Sequence, residues 1–263
     1  MLTKVLALLV IFAASAPAYQ LLLLDDGPPD YGMPTDYLNL DNVEDILDEM
    51  GLVYDHVHNN RFLNKTSSHQ FLESYDIILW YNDNRAITHS EFGAMRLWVG
   101  QGNFLVVTGE DSLGSPNDPL MAELVGSLTY GDHPFCERFT IADPVSWIAD
   151  GDAGFYSGTY DIIPYASDHD LALPKPPGTY MVAYVPNEDN AVGTAKILVT
   201  ELVPPKGGII VYWNGNRDAA EWWRMTQTPH TVNMFKNMMR YLIEHVMGVE
   251  PVSWGGLKSV FAQ

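Results

Sequence analysis

Short, continuous apolar runs set the strongest limit on how this chain can fold. They occupy residues 19–24, 75–81 (YDIILWY), 103–108 (NFLVVT) and 209–213 (IIVYW). A strand that is apolar on both faces is typical of a parallel sheet covered by helices on both sides. The runs therefore predict the buried strands of an α/β fold, with one further strand at residues 52–57.

Amphipathic helices are predicted between these strands. Thr88 and Glu91 form a capping-box pattern at the start of a helix that runs to Val99. Apolar residues recur at helical spacing in residues 37–50 and again in residues 229–247. Buried strands that alternate with helices predict the α/β class, as a doubly wound, mostly parallel sheet with helices on both faces.

The alternation of strands and helices is interrupted in the middle of the chain. Prolines, glycines and aromatic residues dominate residues 130–205, where antiparallel strands are predicted at 181–185 and 195–203. Because the earlier pattern then resumes, we interpret this segment as a β-rich elaboration inserted into one domain of residues 19–247. A separate domain is the alternative. Residues 248–263 are interpreted as a C-terminal tail.

The N-terminus has the order of features expected of a secretory signal peptide at residues 1–18. Lys4 precedes an apolar stretch at residues 5–14, and Ala16 and Ala18 supply an A-x-A cleavage site. The apolar stretch is shorter than the roughly 20 residues that a membrane span needs. The pattern predicts a secreted or periplasmic protein that begins at Tyr19 and has no membrane span; a buried N-terminal helix is the alternative.

The charge balance excludes one class of partner. Lysine and arginine number 14 and aspartate and glutamate 33, so the formal net charge is −19. Such a surface repels DNA and RNA, which need a basic footprint, and we predict no nucleic-acid partner. The one cysteine, Cys136, cannot form a disulfide within the chain and is predicted to be buried.

Two stretches resemble a known superfamily. The stretch from YDIILWY through the THSEF helix to GQGNFLVVTGEDSLG resembles the strand, helix, glycine turn and glycine-ended strand of the class I glutamine-amidotransferase-like superfamily, a flavodoxin-like sandwich. The segment GGIIVYWNGNRDAAEWW resembles its late strand and the turn after it. The resemblance implies a cysteine after the fourth strand and a histidine after the late strand. Residues 108–112 contain no cysteine, and no histidine follows Asn214 before His230. A cysteine nucleophile needs such a base.

These departures predict that glutaminase activity is absent. We expect an exported, non-catalytic amidotransferase-like domain, a pseudoenzyme with a binding or scaffolding role. The alternative is a hydrolase that acts on a carbohydrate or peptide-like substrate through carboxylates at the strand ends. Glu110, Asp111 and Ser112 are the candidate catalytic residues, and capping of a helix is their structural alternative.

Ligands of doubly wound sheets usually bind at the carboxyl ends of the strands. The predicted ligand-binding rim consists of residues at those ends: Asp26, Asn82, Glu110, Asp111, Asn214 and Arg217. Its carboxylates disfavour anions, so the expected partner is a neutral or cationic small ligand, such as a sugar, or an extracellular protein. No cofactor and no metal site is predicted.

Two further groups of residues have both a functional and a structural interpretation. His56 with His58, and the trio 168–170 (DHD), could contribute to a zinc site, but neither has the spacing of a known zinc set, and solvated loop histidines are favoured. Trp213, Trp222 and Trp223 could stack against a sugar, but packing within the core is favoured.

Overall fold

A computed structural model describes most of the domain. The described residues are 19–25, 41–58, 68–82, 86–109, 112–114, 119–136, 138–161, 167–187, 191–202, 207–214 and 229–248.

The described chain contains five helices and thirteen strands. The helices are α1 Asp41–Glu49, α2 His69–Leu72, α3 His89–Gly100, α4 Pro119–Val125 and α5 Pro229–Val246. The strands are β1 Leu21–Asp25, β2 Tyr54–His58, β3 Ile77–Tyr81, β4 Phe104–Gly109, β5 Asp132–Cys136, β6 Arg138–Ile141, β7 Asp150–Gly151, β8 Gly154–Phe155, β9 Thr159–Asp161, β10 Ser167–Asp170, β11 Thr179–Pro186, β12 Val192–Glu201 and β13 Ile209–Asn214.

The main sheet has nine strands in the order β2-β1-β3-β4-β13-β12-β11-β6-β9. The neighbours from β2 to β13 are parallel. From β13 to β9 every neighbouring pair is antiparallel. The predicted α/β fold with a parallel core and an antiparallel elaboration is confirmed, and strands of the elaboration extend the same sheet.

Helices cover both faces of the sheet, as the apolar runs predicted. On one face α1 and α5 contribute side chains such as Leu47 and Phe235 to the core. On the other face α2, α3 and α4 contribute side chains such as Leu72, Trp98 and Met121. Successive residues of a strand point to opposite faces, so a strand between two helical layers is apolar at every position.

The predicted capping box at the start of α3 is present. The Thr88 side chain accepts a hydrogen bond from the backbone N–H of Glu91, and the Glu91 carboxylate accepts one from the backbone N–H of Thr88 at 2.8 Å. Both bonds satisfy amides that the first helical turn leaves open. None of the described helices is long and apolar enough to span a bilayer.

Two small antiparallel ladders lie outside the main sheet. We call the first, formed by β5 and β10, the β5–β10 ribbon. The second joins β7 to β8 and is held by Asn237 of α5, whose side chain accepts from the Ala153 N–H at 2.8 Å and donates to the Gly154 carbonyl at 3.0 Å. The β5–β10 ribbon reaches the carboxyl end of β13, where the Asp170 N–H donates to Asn214 Oδ1.

Candidate functional site

The carboxyl ends of β1, β3, β4 and β13 meet at one edge of the sheet, here called the carboxyl edge. Asn82, Ser112 and Asn214 are the predicted rim and catalytic residues that fall within the described chain, and each is at most 1% exposed. The other predicted residues, Asp26, Glu110, Asp111 and Arg217, lie outside the described residues.

Ser112 and Asn82 are brought together at this edge. The backbone N–H of Asn82 donates to the Thr108 carbonyl at 2.7 Å, which continues the pairing of β3 with β4 by one residue. The Ser112 hydroxyl donates to the Asn82 carbonyl at 2.6 Å. The hydroxyl proton is therefore committed to a backbone acceptor, and the contact links the segment after β4 to the end of β3.

Asn214, the last residue of β13, is bonded to two other segments. Its Oδ1 accepts the N–H of Asp170 at 2.9 Å, and its Nδ2 donates to the carbonyls of Asp170 and Ala195, both at 2.7 Å. Both side-chain donors and the acceptor of this amide are thus used within the chain. Asn214 fastens β10 and β12 to the end of β13.

Asp170 belongs to the β5–β10 ribbon and supplies a carboxylate to the carboxyl edge. Its Oδ2 accepts the backbone N–H of Leu113 at 2.8 Å and the hydroxyl of Tyr212 at 2.5 Å. His169 and Asp170 are 2% and 4% exposed. The interpretation of His169 as a solvated loop histidine is wrong, because His169 lies in strand β10 of the ribbon and its side chain is buried.

Lys196 is a functional candidate that the sequence analysis did not identify. It is 4% exposed, and its Nζ donates to the Asn214 carbonyl at 2.7 Å and lies 3.1 Å from His169 Nε2. The sequence feature that could have identified Lys196 is its position as a single basic residue in the strand Val192–Glu201. The other buried residues of this strand are apolar or small. Burial of an ionisable amine is unusual and calls for several hydrogen-bonding partners.

The remaining histidines do not form a metal site in the described part of the chain. His133 of β5 is opposite His169 in the ribbon ladder. His56 Nδ1 is 3.0 Å from a carboxylate oxygen of Glu44 on α1. Among the described residues, no group of three or more His, Cys, Asp or Glu side chains is placed to hold a metal ion. Cys136 ends β5, but its side chain lies outside what the structure describes.

Of the three tryptophans considered as an aromatic platform, Trp213 is described by the structure, and it packs in the core. Trp213 is fully buried and packs edge-on against Phe235 of α5, with ring centroids 6.3 Å apart. Trp222 and Trp223 lie outside the described residues. Trp213 therefore contributes to the core.

A stacked aromatic group lies where α5 ends. The Tyr241 ring stacks on Trp147 at 4.2 Å between ring centroids, and its centroid is 3.9 Å from that of His245. Burial, followed by the charge of Glu201, raises the pKa of Tyr241. Burial and the same carboxylate also raise the pKa of Tyr180, whose hydroxyl donates to Glu201 at 3.0 Å. These phenols stay neutral at physiological pH.

Comparison with known proteins adds information on the fold. No protein-family model matches the chain, and no curated protein matches it by sequence. A putative ThuA-like protein from Bacteroides uniformis ATCC 8492 matches with a TM-score of 0.59 and 13% identity, over 87% of this chain and 93% of that one.

Two other solved structures are similar. A putative ThuA-like protein from Parabacteroides merdae ATCC 43184 matches with a TM-score of 0.52 and 11% identity, over 86% of this chain and 90% of that one. The mmIFT52 N-terminal domain matches with a TM-score of 0.55 and 8% identity, over 85% of this chain and 96% of that one. At these identities the likeness shows the fold alone: a sheet with a parallel core and helices on both faces, which this chain shares with the matched structures.

Proposed function

We propose that the chain is an exported, non-catalytic amidotransferase-like domain that acts by binding or scaffolding. One observation carries the proposal. At the carboxyl edge, where doubly wound sheets usually bind their ligands, the chain places its own Asp170, which accepts the Leu113 amide and the Tyr212 hydroxyl. The Leu113 amide, the Tyr212 hydroxyl and the Asn214 side chain at this edge are thus bonded to the β5–β10 ribbon.

The arrangement of Ser112 supports the absence of catalysis. A serine nucleophile needs a neighbouring base that takes its proton as it attacks. The Ser112 hydroxyl instead donates to the Asn82 carbonyl at 2.6 Å, and a carbonyl cannot take that proton. The side chain is 1% exposed, so a substrate would not reach it in this conformation.

The chemistry of the partner follows from charge. With a net charge of −19, the surface favours a neutral or cationic partner over an anionic one. Asp26, Glu110, Asp111 and Arg217 remain the proposed contact residues, because the strands that precede them end at the carboxyl edge. The partner class is a sugar-like small molecule or an extracellular protein.

The absence of catalysis can be tested by activity assays. We expect no hydrolysis of glutamine, aryl glycosides or aryl esters above the buffer rate by wild type, Ser112→Ala or Cys136→Ser. Turnover by wild type that Ser112→Ala abolishes, while the circular dichroism spectrum is unchanged, would establish the hydrolase alternative. Turnover lost in Cys136→Ser would identify the thiol as the nucleophile.

The binding role needs a separate experiment. Wild type, an Asp26→Asn/Asp111→Asn double variant and a Glu123→Gln control would be compared on a glycan array, the control replacing an exposed carboxylate of α4. We expect glycan binding that the double variant loses and the control keeps. Binding that is equal in all three proteins, or that maps to residues 130–205, would contradict this site.

Export rests on the N-terminal pattern of Lys4, the apolar stretch and the A-x-A site. Intact-mass analysis of the protein recovered outside the cytoplasm is expected to show an N-terminus at Tyr19. An exported protein that retains Met1 would contradict cleavage.

A further inference from the structure

The contact between Lys196 and His169 joins the β5–β10 ribbon to the main sheet. Lys196 lies on β12, within the sheet, and His169 lies on β10, within the ribbon. We propose that this contact is an acid-sensitive latch: it holds the ribbon over the carboxyl edge at neutral pH and weakens as His169 takes up a proton. The proposal goes beyond the proposed function and stands whether or not the domain binds a ligand.

The geometry restricts the number of protons that the pair can hold. Lys196 Nζ and His169 Nε2 are 3.1 Å apart, and a protonated amine has hydrogens to donate but no acceptor. If Lys196 is charged, Nε2 must be the acceptor, and the neutral imidazole carries its proton on Nδ1. If His169 is charged, the amine must be the neutral partner. In both cases the pair in the latch holds one proton fewer than the two separated side chains hold in acid.

The surroundings make a second proton costly. Both side chains are almost fully buried, so water cannot screen two positive charges at this distance. Lys196 already donates a second hydrogen bond, to the Asn214 carbonyl at 2.7 Å. Asp170, which follows His169 on the ribbon, has its Oδ2 bonded to the Leu113 N–H and the Tyr212 hydroxyl.

Other titratable residues lie on the strands next to the pair. His133 of β5 lies opposite His169, and its Nε2 approaches Gly193 of β12 so closely that an added Cβ would lie 2.6 Å away. Among the described side chains, these strands carry His133 on β5, Asp170 on β10 and Tyr212 on β13.

Proton counting gives the sign and size of the effect. When the ribbon detaches, His169 becomes an ordinary imidazole that takes up a proton below about pH 6.5. The detached state then holds one more proton than the latched state, so acid favours detachment by about tenfold per pH unit below that value. From pH 7.5 to pH 5.0 the opening constant of the ribbon should rise roughly thirtyfold.

Amide hydrogen exchange can detect this opening locally. The Asp170 N–H donates to Asn214 Oδ1 and the Ala172 N–H donates to Thr194 Oγ1, so both exchange when the ribbon detaches. Amides of β4 serve as the internal reference for unfolding of the whole domain. Exchange rates at pH 7.5 and pH 5.0, corrected for intrinsic exchange, would be measured by NMR in the full chain.

Two variants separate the latch from other effects of acid. In His169→Gln the side-chain oxygen can accept from Lys196 at every pH, so the ribbon amides should lose their pH response. His89→Gln, which replaces an exposed histidine at the start of α3, should keep the roughly thirtyfold response. The proposal would be overturned if the ribbon amides of wild type and His169→Gln changed their exchange equally between pH 7.5 and pH 5.0. It would also be overturned if the β4 amides of wild type showed the same change as the ribbon amides.

A measurement on the wild-type protein covers the case in which His169→Gln does not fold. Nitrogen chemical shifts of the His169 ring at pH 7.5 should show a neutral imidazole protonated on Nδ1, or an imidazolium beside a neutral lysine. A neutral ring protonated on Nε2 would overturn the latch, because that nitrogen could not accept from Lys196. Ribbon amides that stay protected while both side chains are charged at pH 5.0 would also overturn it.

Discussion

The side chain of Asn214 is bonded to both backbone groups of Asp170. Its Oδ1 accepts the Asp170 N–H at 2.9 Å, and its Nδ2 donates to the Asp170 carbonyl at 2.7 Å. This is the pair of bonds that a neighbouring strand would supply, provided here by a side chain. Asn214 therefore attaches β10 at the point where β13 ends.

Replacing Asn214 should cost stability. Asn214→Ala leaves the Asp170 N–H and the carbonyls of Asp170 and Ala195 without this partner, and we expect the free energy of unfolding to fall by about 2–4 kcal/mol. The half-buried Asn103, which makes one side-chain bond to the Trp98 carbonyl, is the control. Asn103→Ala should cost about 1 kcal/mol. Urea unfolding measures both, and equal losses would contradict this role.

Two glycines should respond in opposite directions to alanine. A Cβ at Gly208 would collide with the carbonyl oxygens of Val99 and Asn103, so Gly208→Ala should lower the free energy of unfolding by about 1–3 kcal/mol. Gly93, inside α3, has nothing within 4 Å of an added Cβ. Gly93→Ala should raise the free energy by about 0.5–1 kcal/mol because alanine favours the helix. A thermal melt that rises for Gly208→Ala would refute the close approach.

Alkaline pH should destabilise the domain through buried phenols. Burial, followed by the hydrogen bond to Asp55, raises the pKa of Tyr75 to about 12 from an ordinary value of 10. The folded state then holds a proton that the unfolded state loses, so the stabilisation is complete below pH 10 and is lost as pH rises towards 12. Tyr75→Phe should reduce the loss of unfolding free energy between pH 9 and pH 11, measured by urea titration. An unchanged slope would count against this assignment.

Asn237 should control the order of the β7–β8 ladder. Its side chain bonds to Ala153, Ile148 and Gly154, all in that segment of the elaboration. Asn237→Ala should lower the free energy of unfolding by about 1–3 kcal/mol and speed proteolytic cleavage within residues 148–156. Asn233→Ala, which removes a bond to the Tyr156 hydroxyl, is the neighbouring control on α5. Cleavage that begins elsewhere in Asn237→Ala would contradict the prediction.

Local pattern was sufficient to predict the fold. The runs at 75–81 and 103–108 are apolar on both faces because helices cover both, and the structure has β3 and β4 at these positions. Thr88 and Glu91 are three residues apart, so their capping box depends on one turn of helix. The antiparallel strands predicted at 181–185 and 195–203 are present as β11 and β12.

The interior of the candidate site could not be predicted in the same way. Asn214 was placed at the right end of the right strand, but its burial depends on Asp170, which is far away in sequence. Lys196 and His169 likewise meet through the pairing of separate segments. The spacing of apolar residues in a strand shows which faces are covered by helices. A ribbon that covers only the end of a strand produces no such pattern in that strand's sequence.

The position of β13 has a consequence for synthesis on the ribosome. Phe104 of β4 pairs with Ile77 on one side and with Ile209 on the other, so β4 has a free hydrogen-bonding edge until the elaboration has been translated. Unpaired strand edges promote aggregation, and closing so long a loop is slow. A nascent chain that has not yet reached residue 209 therefore lacks the strand that pairs with this edge, and truncated fragments without β13 are expected to accumulate in inclusion bodies.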